Sequence, residues 1–173
     1  PGRTEIGGNH TDHQLGWVLG AAVSLGVIGV VSPRPDNVIR VQSQGYPLEE
    51  VDLAHLEPVE REKETSQALI RGIAARFHQF GYRIGGFDAY TTSAVMKGGG
   101  LSSSAAFEVL IGTALNHLYN GGLVDPQRIA QVGQYAENVY FGKQCGLMDQ
   151  MVSAVGGFVS INFGGEQPGI RQI

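Results

Sequence analysis

Only one cysteine, Cys145, stands among the 173 residues, so no disulfide can close within the chain, and a reducing cytosol is the natural setting. Charge of one sign is not in excess either. Lys and Arg total 12 against 16 Asp and Glu, a formal net charge of -4. No basic stripe interleaved with aromatics appears, which argues against nucleic acid as a partner. Long hydrophobic runs are missing. The longest, Trp17 to Val31, is broken by Gly20, Ser24, Gly26 and Gly29. It is too short and too rich in glycine to read as a membrane span, and it lacks the basic start of a signal peptide. Internal repeats and low-complexity segments are absent as well. Two things are abundant. Apolar residues make up 42%, enough for a real core in one domain or one large lobe. Glycine supplies 26 residues, about twice its usual share.

Periodicity supplies a coarse map. Val18 to Val31 reads as one or two buried strands with a tight turn, and Val38 to Ser43 as a half-exposed strand. The Pro33-Arg34-Pro35-Asp36-Asn37 stretch between them is a turn. Leu48 to Lys63 is acidic and reads as irregular surface. Thr65 to Phe80 carries Leu69, Ile70, Ile73, Ala74 and Phe77 at helical spacing and stops before Gly81. Gly86 to Val95 reads as a strand and Ser102 to Tyr119 as a strong helix. Asp125-Pro126 predicts a capped helix start, with periodicity running to about Phe141. A short helix over Met148 to Ala154 and a strand over Phe158 to Asn162 complete the map. Strands and helices mix without regular alternation, which predicts an α+β fold.

One junction calls for explanation. Gly98-Gly99-Gly100-Leu101-Ser102-Ser103-Ser104 runs straight into the strong helix. Glycines let successive backbone N–H groups converge on one point without side chains in the way. A helix start adds unpaired N–H groups and the positive end of its dipole. Together they form a cradle for an anion, above all phosphate. The serine hydroxyls add donors, and a hydroxyl can also ligate Mg²⁺. The plain alternative is a glycine loop capped by serine with nothing bound. The spacing fits neither a Walker A loop nor a Rossmann fingerprint.

Two further segments carry dense polarity. Pro1 to His13, "PGRTEIGGNHTDH", places Arg, Glu, Asn, two His and an Asp just before a buried strand. That density suits a polyol site, whose hydroxyls need paired donors and acceptors. A metal site using His10, Asp12 and His13 is the rival, with no fourth ligand cluster in evidence, and a loop bonding its own backbone is the plain reading. Cys145 to Gly157, "CGLMDQMVSAVGG", holds a single acid, Asp149, in an apolar run. Such a carboxylate either caps a helix or works with a tuned pKa.

The three segments, in this order, resemble the galactokinases of the GHMP kinase superfamily over nearly the whole chain. The first is similar to the galactokinase signature P-G-R-x-N-L-I-G-E-H-T-D-Y. "GGGLSSSAA" is similar to the superfamily phosphate loop, and "CGLMDQ" to the segment carrying the family's catalytic aspartate. The resemblance implies an α+β lobe like the second domain of ribosomal protein S5, ATP and Mg²⁺ as cofactors, and transfer of the γ-phosphoryl to the anomeric hydroxyl of galactose or a related hexose. Asp149 then matches the proton acceptor and Arg3 the arginine beside the reacting centre. Asn9, His10, Asp12 and Gly146 fall at sugar-binding positions. Gly98 to Ser104, Leu101 and Ser102 included, fall at the nucleotide's phosphates, and Ser103 and Glu137 at the Mg²⁺. Glu137 has a plain alternative on a solvated helix face, and Cys145 reads as a packed thiol.

Some residues depart from the pattern. Asn9 stands where the signature has Glu, Glu5 where it has Asn, and His13 where it has Tyr. The family's C-terminal lobe and its third glycine-rich motif have no counterpart here. With Pro1 rather than Met at the start, residues 1–173 are expected to be a fragment of a longer, cytoplasmic protein whose isolated lobe is inactive or very weak and exposes an apolar surface prone to self-association. A non-catalytic sugar or nucleotide sensor on the same scaffold, or an inactive excised lobe, are the competing functions. The Asn9 departure is testable in the intact protein. A neutral amide both donates and accepts, so Asn9→Glu should raise kcat/KM for galactose relative to other hexoses. Coupled ADP-release assays over a hexose panel measure this, and an unchanged ratio would show that position 9 does not read the sugar.

Overall fold

The computed structural model describes residues 1–8, 15–165 and 167–173. Two four-stranded sheets share one set of helices, an α+β arrangement. The first sheet has the order β1 (Arg3–Gly7), β2 (Trp17–Ala22), β7 (Phe158–Asn162) and β8 (Gly169–Gln172), with every neighbour antiparallel. The second has the order β3 (Val27–Pro33), β6 (Phe87–Ser93), β4 (Val38–Ser43) and β5 (Leu48–Asp52). Its β4–β6 pair is parallel, as a connection through a helix requires. That helix is α1 (Ser66–Gln79). The remaining helices are α2 (Ser103–Tyr119), α3 (Pro126–Tyr135) and α4 (Met148–Val155).

Each sheet buries one face against helices. Ile39, Val41, Val51, Phe87 and Ala89 of the second sheet pack with Leu69, Ile70, Ile73 and Phe77 of α1 and Ile111 and Leu115 of α2. Val18, Val159 and Ile161 of the first sheet pack with Met148, Met151 and Val152 of α4. Strand alternation selects these residues, because side chains two apart share a face. Outside the core, Arg71 of α1 forms a buried two-pronged ion pair with Glu62, at 2.7 and 2.8 Å. It fastens the segment between β5 and α1.

Several boundaries differ from the sequence expectation. The acidic stretch after Leu48 is not wholly irregular, since Leu48–Asp52 forms β5 at a sheet edge. Only Val51 of that strand is fully buried, and the half-buried Glu49 shares its face, so charges on both faces hide the alternation. The stretch Val18 to Val31 splits into β2 and β3, and β3 is not buried on both faces: Ile28 and Val30 point to solvent. The helix expected to reach Phe141 ends its α-helical part at Tyr135 and continues as a π-helical turn, Ala136–Phe141. Asp125 caps α3 as expected, accepting from the backbone N–H of Arg128 at 2.9 Å with Pro126 in the first turn. Strands β1 and β8 were not anticipated as strands.

Entry into the central strand β6 depends on Gly86. A Cβ there would lie 2.2 Å from the Asp36 carbonyl oxygen and 2.6 Å from that of Val38, both backbone atoms that cannot swing aside. The Gly86 carbonyl also accepts from the Arg34 N–H at 2.8 Å and from the Tyr119 hydroxyl. Gly86→Ala should therefore destabilise the fold by about 2–3 kcal/mol, the range of overpacked sites. Urea denaturation should show a lower midpoint with an unchanged m-value, and a midpoint within error of wild type would contradict the geometry.

Candidate active site

The site is assembled from both ends of the chain. At the start of β1, the Arg3 backbone N–H donates to the Leu101 carbonyl at 3.0 Å. Its side chain then donates from Nη1 to the Gly100 carbonyl at 2.9 Å. The remaining two prongs meet Asp149: Nε to Oδ1 at 2.7 Å and Nη2 to Oδ2 at 2.9 Å. Arg3 and Asp149 are 146 residues apart, and the guanidinium is nearly buried while the carboxylate keeps more exposure. Paired, two-pronged geometry of this kind is among the stronger polar contacts in proteins. Gly2 permits the approach, since a Cβ there would sit 2.7 Å from the Leu101 carbonyl oxygen.

Asp149 lies in the first turn of α4, yet it does not act as that helix's cap residue; the cap position is Leu147, without a side-chain cap bond. Its carboxylate also accepts from the Ser102 hydroxyl. Ser102 adopts a left-handed conformation, φ 54° and ψ 64°, at the cap position of α2. A non-glycine residue held there costs on the order of 1 kcal/mol, and the hydroxyl it directs at Asp149 is the compensating contact.

The glycine-rich loop sits directly before this cap. Gly98 and Gly100 have φ of +77° and +74°, a conformation side-chain-bearing residues rarely adopt. The Gly99 N–H is used within the loop, donating to the Met96 carbonyl at 3.1 Å. The first intrahelical bond of α2 runs from the Ala106 N–H to the Ser102 carbonyl, so the N–H groups before it have no partner further back in the helix. This end of the helix opens on a cavity of about 420 Å³. Its lining includes Lys97, Ser103 and Ser104 beside apolar Leu69, Phe107 and Phe141.

Glu137 is not on a solvated face. It is buried, held by the π-helical turn, and reaches three partners. Oε1 faces the Ser104 hydroxyl and the Lys143 ammonium, each at 3.3 Å, and Oε2 accepts from the Gln150 amide at 2.8 Å. The hydroxyl that reaches Glu137 is thus Ser104's, whereas Ser103 lines the neighbouring cavity. The nearby Glu137 charge raises the Lys143 pKa. Asn9, His10 and Asp12 lie outside the described residues. Gly146 falls in the segment just ahead of α4, three residues before Asp149. Cys145 is half-buried, and burial pushes its thiol well up, as a packed thiol requires.

Glu108 and Gln150 belong to this neighbourhood and went unnoticed in the sequence. The Gln150 amide nitrogen donates to both Glu137, at 2.8 Å, and Glu108, at 3.0 Å. All three side chains are buried. The available signal was one carboxylate within the apolar run Ala105 to Leu115 of a helix. Gly133 of α3 makes the room, because a Cβ there would lie 2.9 Å from Glu108 Oε2. Burial first, and the Glu137 charge second, push the Glu108 carboxyl well above the usual range.

Among the described residues no group of three or more His, Cys, Asp or Glu side chains could form a metal cage, and no helix is long and apolar enough to cross a membrane. The Glu137 carboxylate and the Ser104 hydroxyl beside it are oxygen ligands of the kind that fit a hard cation such as Mg²⁺, although the Lys143 ammonium and the Gln150 amide also lie against that carboxylate.

Comparison with known proteins places the chain. Residues 68–157 match the model of the GHMP kinases N terminal domain, and residues 1–33 match the galactokinase galactose-binding signature. A galactokinase of Clostridium tetani is 35% identical over 157 residues, 90% of this chain and 40% of that protein. The crystal structure of Lactococcus lactis galactokinase complexed with galactose superposes with a TM-score of 0.89 at 27% identity, over all of this chain and 46% of that one. The Methanococcus jannaschii mevalonate kinase, at 15% identity and a TM-score of 0.80, shares the fold over 54% of its chain. The chain thus spans about half or less of the length of these relatives.

The Glu108 environment sets a pH dependence. Its folded pKa lies above the unfolded value near 4.3, so the folded state holds a proton that the unfolded state has released. The stability of the protonated form, whole below pH ~4.3, is lost as pH rises through the folded value. Glu108→Gln carries no charge to desolvate. Its stability relative to wild type should climb between pH 4.5 and 8, about 1.4 kcal/mol for each unit of raised pKa. Urea unfolding of both proteins across that range measures this, and a difference that does not change with pH would refute it.

Proposed function

We propose, from the premise that this chain belongs to the GHMP kinases as their N-terminal domain, that it is the catalytic lobe of a cytoplasmic sugar kinase acting on the anomeric hydroxyl of galactose or a related hexose. The observation that carries this reading is the two-pronged Arg3–Asp149 pair, with Ser102 and the Gly98–Gly100 loop beside it. The galactose-binding signature over residues 1–33 supports a sugar as acceptor, and Asn9, His10 and Asp12 fall within that span; with Gly146, three residues before Asp149, they make up the proposed sugar-binding set.

The chemistry follows from the geometry. Asp149 keeps one face open to solvent while Arg3 and Ser102 fix its orientation. It accepts the proton of the sugar hydroxyl as that oxygen bonds to the γ-phosphorus of ATP and the bond from that phosphorus to the β,γ-bridging oxygen breaks, releasing ADP. Arg3 offsets negative charge on the transferring phosphoryl. The loop Gly98 to Ser104, Leu101 included, and the unpaired N–H groups at the start of α2 receive the ATP phosphates. The cavity of about 420 Å³ next to them takes the nucleoside. Glu137 with Ser103 or Ser104 would hold Mg²⁺, which would supply positive charge to offset that of the phosphates. Phosphoryl transfer asks mainly for positioning and charge neutralisation, and these groups supply both. Exposed Met96, beside the cavity, belongs to the apolar surface through which isolated lobes would associate.

The test uses the intact protein with ATP, Mg²⁺ and galactose. Asp149→Asn preserves shape and removes the proton acceptor. It should lower turnover by about 10²–10⁴-fold, the usual worth of a general base. Galactose affinity, measured calorimetrically, should stay within a few-fold. Turnover near wild type in the variant, or no ADP release with any hexose by the wild type, would overturn the reading.

A further inference from the structure

Two cations lie together on the helical face between α1 and α3. Arg76 of α1 and Arg128 of α3 both stack on the Phe80 ring, their guanidinium carbons 4.4 and 4.5 Å from its centroid. Arg76 also stacks on Tyr135 at 4.4 Å. Among the described residues neither guanidinium has an acidic partner: Arg76 donates to Gln79 at 2.9 Å and Arg128 to Gln131 at 2.9 Å. Asp125, the nearest acid in sequence to Arg128, is used on the backbone N–H instead. The Arg76 Nε is buried and has no acceptor at all.

The two line a cavity of about 390 Å³, within the size range of small-molecule sites. No carboxylate contributes to its wall; Gln131, Gln134 and Asn138 do. The wall is fixed in place. Gln134 and Asn138 both donate to the Cys145 carbonyl, at 3.3 and 3.4 Å, and Asn138 accepts from the Cys145 N–H at 2.8 Å. Stacking holds both guanidinium planes, so little freedom is lost on binding.

We propose that this cavity is an anion site for a small phosphate-bearing molecule, bound by Arg76 and Arg128 and separate from the Arg3–Asp149 centre. A phosphate dianion balances both cations. Its oxygens meet the fork of a guanidinium, and a buried Nε–H without an acceptor is satisfied by one of them. Burying one arginine's donor unpaired costs free energy that an occupant would recover.

The test follows the arginine Nε–H signals of the intact ¹⁵N-labelled protein, assigned with single variants. Inorganic pyrophosphate is titrated at a constant ionic strength of about 0.15 M, where non-specific attraction is screened. Both signals should move saturably, and inorganic phosphate should move them more weakly. Arg128→Gln should weaken the response of Arg76 about tenfold or more, while Arg128→Lys, which keeps charge but not the fork, falls between. Arg128 is partly exposed, so these variants test the site even where Arg76 substitutions disturb packing. Signals that stay put, that respond equally to added chloride, or that respond as strongly in Arg128→Gln would overturn the proposal. Movement by a Glu-rich peptide with none by pyrophosphate would assign the face to an acidic protein partner and overturn it as well.

Discussion

The Arg3–Asp149 ion pair is the constraint to which the rest of the site answers. It joins the first strand to α4 across 146 residues and draws in the Gly100 carbonyl and the Ser102 hydroxyl. Three separate segments are therefore held at one point. A half-buried pair of this kind stabilises only when its geometry is complete, because each charge gives up water to form it. Here the geometry is complete: both prongs of the guanidinium face both carboxylate oxygens, and the third donor has a carbonyl. Removing either partner would leave a charge poorly solvated and the loop without its anchor. The site and the fold thus share a contact: the ion pair that lines the candidate site also ties β1 to α4.

Such closeness between segments is possible because small residues stand where backbones meet. Gly2 lets β1 approach Leu101, Gly20 lets β2 approach Val152 of α4, and Gly133 lets α3 approach Glu108 and Gln150. In each case an added Cβ would fall within 3.0 Å of a neighbouring atom. The high glycine content is thus not only a matter of flexible turns. A good part of it is packing: it brings α3 and α4 near enough to the sheet and to α2 for charged groups from four elements to converge.

What could be read from the residues alone divides along the same line. The helix from Ser102 to Tyr119 and the cap at Asp125 were legible, because helix starts and apolar spacing are local signals. The meeting of Arg3 with Asp149 was legible only through the resemblance of whole segments, since no local rule links residues so far apart. Strand β5 was hidden by its charges, which lie on both faces of an edge strand, half-buried Glu49 included, and mask the single fully buried Val51. The π-helical turn at Ala136–Phe141 was hidden for a different reason. It depends on an extra residue accommodated in a helix whose apolar period continues unbroken, and tertiary contacts decide whether the helix widens. That turn is what carries Glu137 inward, so the error about the helix and the alternative of a solvated Glu137 are one error.

The same geometry explains why a second buried acid is tolerated at all. Glu108 and Glu137 approach one amide nitrogen, and an amide nitrogen has only two hydrogens to give. With both acids ionised, two negative charges would share a buried donor, with Lys143 as the one cation at 3.3 Å from Glu137. Raising the Glu108 pKa, through burial first and the Glu137 charge second, relieves that conflict by favouring the neutral form of Glu108. Glu108 Oε1 and Gln150 Oε1 remain without partners, so the arrangement is incomplete by the ordinary standard of buried polar groups. An apolar core would be more stable at this point. Gln150, however, directly follows Asp149, and its two bonds fix the inward rotation of α4. Turning the helix would break both, so they help to hold the face of α4 that presents Asp149 to Arg3. The unfavourable burial of Glu108 is in this sense part of the orientation of Asp149.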